Sequence, residues 1–143
     1  MGDFASKKVL VVDDTASMRA LIKGTLKQLG FSKIDDANDG SKAENLVVRN
    51  EYDIVICDWD MPGANGLEVL EFCRASPKNA DIPFIMLTAN ADTDHVKLAI
   101  QAKVTDYITK PFKPETLEAK LEKIWPSEND DDDGEEADEL VLL

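Results

Sequence analysis

The feature that most constrains this chain is an alternation, repeated five times between Lys7 and Trp125, of a short apolar run with a helix-patterned segment. Val9-Leu10-Val11-Val12 is apolar at every position, as a strand covered on both faces is. Met18, Leu21, Ile22, Leu26 and Leu29 follow at helical spacing, and Gly30 supplies a helix stop. A weaker strand is expected at Lys33–Ala37, then a helix around Gly40–Val48 with Ala43, Leu46 and Val47 inward. Ile54-Val55-Ile56-Cys57 is the third run. After the turn at Met61–Gly66, a helix carries Leu67, Val69, Leu70, Phe72 and Cys73 on its apolar side. Ile82–Leu87 is the fourth run, and a helix at Asp94–Ala102 places Val96, Ala99 and Ile100 on one face. Asp106–Thr109 reads as a short fifth strand. Pro114 opens a last helix whose inward side is Leu117, Leu121, Ile124 and Trp125. Five such units predict an α/β fold, a doubly wound five-stranded parallel sheet with five helices on its two faces.

With 143 residues, 43% of them hydrophobic, the chain can bury one core without disulfide or metal staples. It contains no run of about 18 apolar residues and no basic-then-apolar leader, so a cytoplasmic protein that does not enter a membrane is expected. Cys57 and Cys73 stand far apart in sequence and outside any CxxC spacing. They are expected to be buried, reduced thiols, not a metal or redox pair.

The net charge of −13 is unevenly spread. Nine of the 29 acids, and none of the 16 Lys and Arg, lie between Pro126 and Leu143, leaving a mildly acidic body. A folded domain over residues 1–125 and an acidic, disordered tail over residues 126–143 are the expected organisation. A body without basic excess is not expected to bind nucleic acid. The apolar end Leu140–Leu143 is read as inert.

The unusual residues collect where the runs end. Asp13 and Asp14 close the first run, Asp58 the third, Thr88 the fourth and Lys110 the fifth. Ligands of open parallel sheets bind beyond the carboxyl ends of the strands, where strand order reverses. An order of 2-1-3-4-5 places that point between the first and third strands and gathers Asp13, Asp14 and Asp58. Two unit charges about 5 Å apart at an effective dielectric near 20 repel by roughly 3 kcal/mol, so such a cluster raises its pKa values or recruits a cation. A hard divalent ion with oxygen ligands, Mg²⁺ above all, meets that need and leaves room for a phosphoryl group. Lys110 adds a fixed positive charge and Thr88 a hydroxyl donor, completing an electrostatic clamp for phosphoryl transfer. An Asp after an apolar run can equally cap a helix, and Lys-Pro can be a plain turn. The argument rests on all five falling at strand ends.

Val11-Val12-Asp13-Asp14, Asp58-Trp59-Asp60-Met61-Pro62-Gly63, Thr88-Ala89 and Lys110-Pro111-Phe112 together resemble the receiver domains of bacterial two-component response regulators, most closely the single-domain chemotaxis type. The resemblance covers about Lys7 to Trp125 and implies the flavodoxin-like (CheY-like) fold with strand order 2-1-3-4-5. It implies that Asp58 is the phosphoacceptor, and that Asp14, Asp58 and the backbone carbonyl of Asp60 ligate Mg²⁺ with Asp13 acting through water. It further implies that Lys110 and Thr88 contact the phosphoryl oxygens and that Tyr107 is the switch aromatic. The Lys110-Pro111 bond is expected to be cis. The implied donor is a phosphohistidine on a chemotaxis-type sensor histidine kinase, or a small acyl phosphate. The implied target binds a face made of the fourth helix, fifth strand and fifth helix, as a flagellar motor switch would. Asp60 and Asn90 occupy sites that tune phosphate lifetime in the family, and Asp92-Thr93-Asp94-His95 is acidic where the chemotaxis type is lysine-rich. The chain would then be a signalling phosphoacceptor with self-catalysed phosphorylation and dephosphorylation, not a conventional enzyme.

A second reading, an aspartyl-phosphate phosphotransferase or phosphatase of haloacid-dehalogenase type, rests on Asp58-Trp59-Asp60. That motif would follow the first strand in such enzymes, usually with a cap insertion. His95, the only histidine, is expected to face solvent, and Trp59 to be partly exposed beside the acidic pocket. Phe112 and Trp125 are expected to be packing residues, and the match of Met1–Ser6 to a myristoylation pattern to be chance.

Overall fold

The structure, a computed structural model, describes residues 4–90 and 92–126. The acidic tail and its apolar end, beyond Pro126, and Met1–Asp3 of the myristoylation pattern lie outside the described residues. The strands are β1 (Lys8–Val12), β2 (Lys33–Ala37), β3 (Ile54–Asp58), β4 (Phe84–Thr88) and β5 (Asp106–Thr109). The helices are α1 (Ala16–Gln28), α2 (Gly40–Arg49), α3 (Gly66–Ala75), α4 (Thr93–Gln101) and α5 (Pro114–Ile124). All four strand pairings are parallel and the order is β2-β1-β3-β4-β5, as expected.

Strand period divides the core in two. Leu10, Val12, Val55, Cys57, Phe84 and Met86 face α2, α3 and α4 and pack with Ala43, Val47, Val69, Leu70 and Cys73. Val9, Val11, Ile54, Ile56, Ile85 and Leu87 face α1 and α5 and pack with Ile22, Leu26, Leu117 and Leu121. On this second side Phe4 stacks on Phe31 with centroids 4.5 Å apart, and Trp125 lies 6.4 Å from each. Trp125 and Phe112 are thus packing residues, as expected.

Local chemistry sets the helix ends. Gly30 follows α1 at φ +110°, a conformation that a side chain would strain. Asp39 caps α2, and Asn65 and Glu68 cap α3 reciprocally. The Asp92 carboxylate accepts the His95 N–H at the start of α4. Beyond the other end of α4, Arg74 donates to the carbonyl of Lys103 from Nε (3.0 Å) and Nη2 (2.9 Å), and to that of Ile82 from Nη1 (2.7 Å).

Three details differ from expectation. Leu21 is 49% exposed, because the buried stripe of α1 runs through Ile22, Thr25 and Leu26. Ile100 is 61% exposed: α4 buries only Ala99, with Val96 half-buried, so its contact stripe is one residue wide. The fourth strand starts at Phe84, since Pro83 has no N–H to extend the ladder. Among the described residues, no helix is long and apolar enough to cross a membrane.

Candidate functional site

The register Val12↔Cys57 brings the ends of β1 and β3 level, so the residues that follow meet. Carboxylate oxygens of Asp13, Asp14 and Asp58 all lie within 4.8 Å of one another. Asp13 and Asp58 are buried, whereas Asp14 is exposed. Lys110 reaches across from the end of β5: its Nζ is 3.1 Å from Asp13 Oδ2 and 3.0 Å from Asp58 Oδ1. Its backbone N–H donates to the Thr88 carbonyl at 2.8 Å, and the Lys110-Pro111 bond is cis. Asp13 Oδ1 accepts the Thr15 N–H at 2.9 Å. The sequence therefore places four of its five strand-end candidates, Asp13, Asp14, Asp58 and Lys110, in one constellation.

Burial pushes the Asp58 carboxyl above its ordinary pKa; Lys110 opposes the rise, Asp13 adds to it, and the backbone N–H of Asp60 draws it partly back. Burial alone would favour the neutral amine of Lys110, but its bonds to Asp58 and Asp13 outweigh that and raise its pKa. One ammonium thus leaves the buried carboxylates under-compensated. A set of three carboxylates, one side open to solvent, fits a hard divalent cation that keeps several waters, as Mg²⁺ does.

Thr88, the fifth candidate, points elsewhere. Its hydroxyl donates to the Asn90 carbonyl at 3.0 Å and accepts the Asn90 N–H at 2.9 Å. Tyr107 is half-buried and, with Thr88, Trp59, Met86 and His95, lines a small recess under α4. Trp59 is only 6% exposed, contrary to expectation, because it lies over the sheet end against α4. His95 does not simply face solvent either. Its Nδ1 lies 2.9 Å from the Asp92 carboxylate, and its ring meets Trp59 edge-on at 4.9 Å. Cys57 and Cys73 are buried, and burial pushes both thiols up, Cys73 to about 11, as inert thiols require.

Two contributors escaped the sequence reading. A Cβ on Gly66 would stand 2.4 Å from the Asp58 carbonyl oxygen, so only glycine lets α3 start against the site. In sequence it reads as a turn residue. The other is Arg19, whose Nη1 donates to the Asp13 carbonyl at 2.7 Å. Nothing in a helix-start pattern distinguishes it from any solvated Arg.

A family model described as the response regulator receiver domain matches residues 9–122. The chemotaxis protein CheY-3 of Vibrio cholerae is 40% identical over 118 residues, covering 82% of this chain and 91% of that protein. The chemotaxis protein CheY of Pseudomonas aeruginosa is 38% identical over 122 residues, covering 85% and 98%. Among solved structures, the receiver domain of a Pseudomonas aeruginosa sensor histidine kinase, with magnesium coordinated in its active-site cleft, superposes with a TM-score of 0.75. It is 30% identical and covers 82% of this chain and 95% of that one. The haloacid-dehalogenase reading gains no support, since Asp58-Trp59-Asp60 follows β3 of a receiver sheet. By sequence match and strand order alike, this chain belongs to the response regulator receiver domain family and is CheY-like.

Proposed function

We propose that the chain is a Mg²⁺-dependent phosphoacceptor switch in which Asp58 takes a phosphoryl group from the phosphohistidine of a chemotaxis-type sensor kinase. The observation that carries this is Asp58 itself: buried, pushed toward protonation, and held by a single ammonium at 3.0 Å. Asp14, Asp58 and the Asp60 backbone carbonyl would hold Mg²⁺, with Asp13 behind them. Bound there, the ion supplies charge compensation for the carboxylates and the incoming phosphoryl oxygens. An Asp58 carboxylate oxygen attacks phosphorus, the P–O bond forms as the donor P–N bond breaks, and the histidine nitrogen leaves with the electron pair. Lys110, already at the acceptor oxygen, stabilises the charge that arrives. The same pocket, with water as nucleophile, reverses the modification.

Thr88 would exchange its Asn90 partners for a phosphoryl oxygen and vacate room beneath α4, into which Tyr107 turns. The altered face, α4-β5-α5, would bind a protein target in the cytoplasm, the flagellar motor switch being the target suggested by chemotaxis relatives. Neither nucleic acid nor a membrane has a part in this scheme.

Trp59 fluorescence tests the proposal, because that ring is buried beside Asp58. Mg²⁺ should change the emission, and beryllium fluoride or acetyl phosphate should change it again. A second step that persists in Asp58→Asn would overturn the assignment.

A further inference from the structure

Of the three clustered carboxylates, Asp14 alone makes neither a hydrogen bond nor an ion pair among the described residues. Asp13 is tethered through both carboxylate oxygens, and Asp58 is buried against Lys110. Asp14 is exposed, so its direction must come from the backbone that carries it. Beyond Asp14 that backbone is held by the Thr15 N–H, which donates to Asp13 Oδ1 at 2.9 Å, and before it by a side chain from α1. The Asp13 carbonyl, which shares a rigid peptide plane with the Asp14 nitrogen, accepts a 2.7 Å bond from Arg19 Nη1. The Asp13 N–H donates to the Ala37 carbonyl at 3.1 Å, closing the other side.

Arg19 is in turn fixed from β2. Its Nε lies 3.1 Å from Asp36 Oδ2, and Lys23 shares that carboxylate at 3.4 Å. The guanidinium is a fork with one prong on β2 and the other on the end of β1, an arrangement that an ammonium cannot reproduce. Its charge is the wrong sign to help a divalent cation bind nearby. A purely electrostatic role would therefore make Arg19 unfavourable for the metal, and its placement calls for another explanation.

We infer that Arg19 is a positioning residue: by holding the peptide between Asp13 and Asp14 it aims the Asp14 carboxylate at the divalent cation. The inference rests on the Mg²⁺ site proposed above, and it separates from a charge effect by sign.

The test is a Mg²⁺ titration of the full chain, read by Trp59 fluorescence and by calorimetry, for wild type, Arg19→Met and Arg19→Lys, with thermal melts in EDTA. Loss of an outer partner typically weakens a metal site by roughly tenfold or more, and both variants should show that rise in the Mg²⁺ dissociation constant below their melting temperatures. Tighter or unchanged binding in Arg19→Met would overturn the inference, as would wild-type affinity in Arg19→Lys. If Arg19→Met does not fold, Arg19→Lys decides alone. A wild type that gives no Mg²⁺ response would sink the metal site itself, whereas a responsive wild type with unaffected variants would sink only the role of Arg19.

Discussion

The two faces of the sheet are built from the same five strands, yet they are held differently. On the α1/α5 face, α1 buries Ile22, Thr25 and Leu26 and α5 buries Leu117 and Leu121, and Phe4, Phe31 and Trp125 close the layer where the ends of the folded body meet. On the opposite face, α2 and α3 are similarly seated, but α4 buries one alanine and leaves Leu98 and Ile100 exposed. Trp59, Thr88 and Tyr107, the residues beside the acidic cluster, all lie against that lightly seated helix. Both faces are well packed, but one of them holds a helix by far less buried surface than the rest.

Substitutions can break or sharpen this contrast. Leu121→Ala, on the α1/α5 face, should lose about 2–5 kcal/mol by urea denaturation in EDTA while folded protein keeps its Mg²⁺ affinity. A matching loss of affinity would show that the faces are not independent. Gly66→Ala should cost about 1–3 kcal/mol by overpacking. It should also reduce the Mg²⁺ response, because the added carbon displaces the Asp58 carbonyl.

Asp58→Asn should go the other way. Its folded pKa lies above the unfolded value, so ionisation destabilises the fold as pH rises through that interval. Wild type without Mg²⁺ should therefore lose stability across the window just above the ordinary carboxyl range. Asp58→Asn should show no such fall and should be more stable than wild type at neutral pH. Mg²⁺ affinity should move oppositely, declining as acid protonates Asp58. Smallest of all, Ile100→Ser should change stability by no more than about 0.5 kcal/mol, since its side chain lies largely in solvent. A larger loss would mean that α4 is more firmly seated than its buried surface indicates.

The contrast also explains what could be read from the sequence. Strands buried on both faces are continuous apolar runs, so β1, β3 and β4 were legible, as was the gathering of Asp13, Asp14, Asp58 and Lys110 at strand ends. Periodicity ranks apolar positions but does not say how wide a stripe the fold covers, and so Leu21 and Ile100 were placed inward although they are exposed. Trp59 and His95 were misjudged for a related reason. Each is ambiguous alone, and only the approach of α4 to the end of β3 brings the rings together. Arg19 and Gly66 act through backbone carbonyls, which carry no side-chain signature.

The Arg74 clamp has a mechanical consequence. It fastens the carbonyl of Lys103, two residues past α4, to the end of α3 and to the segment before β4. The helix is pinned at that end, whereas its opposite end rests on His95 against Trp59. With the helix tethered in this way, a swing about the clamped end would break fewer bonds than a slide of the whole helix. With nine residues rising 1.5 Å each, a tilt of about 10° moves the free tip by roughly 2 Å and the pinned end scarcely at all. If phosphorylation at the proposed Asp58 site shifts Trp59 or Thr88, the displacement of α4 would be largest at the tip nearest the site and would fade toward Lys103, so a partner reading the change would do best to contact that tip.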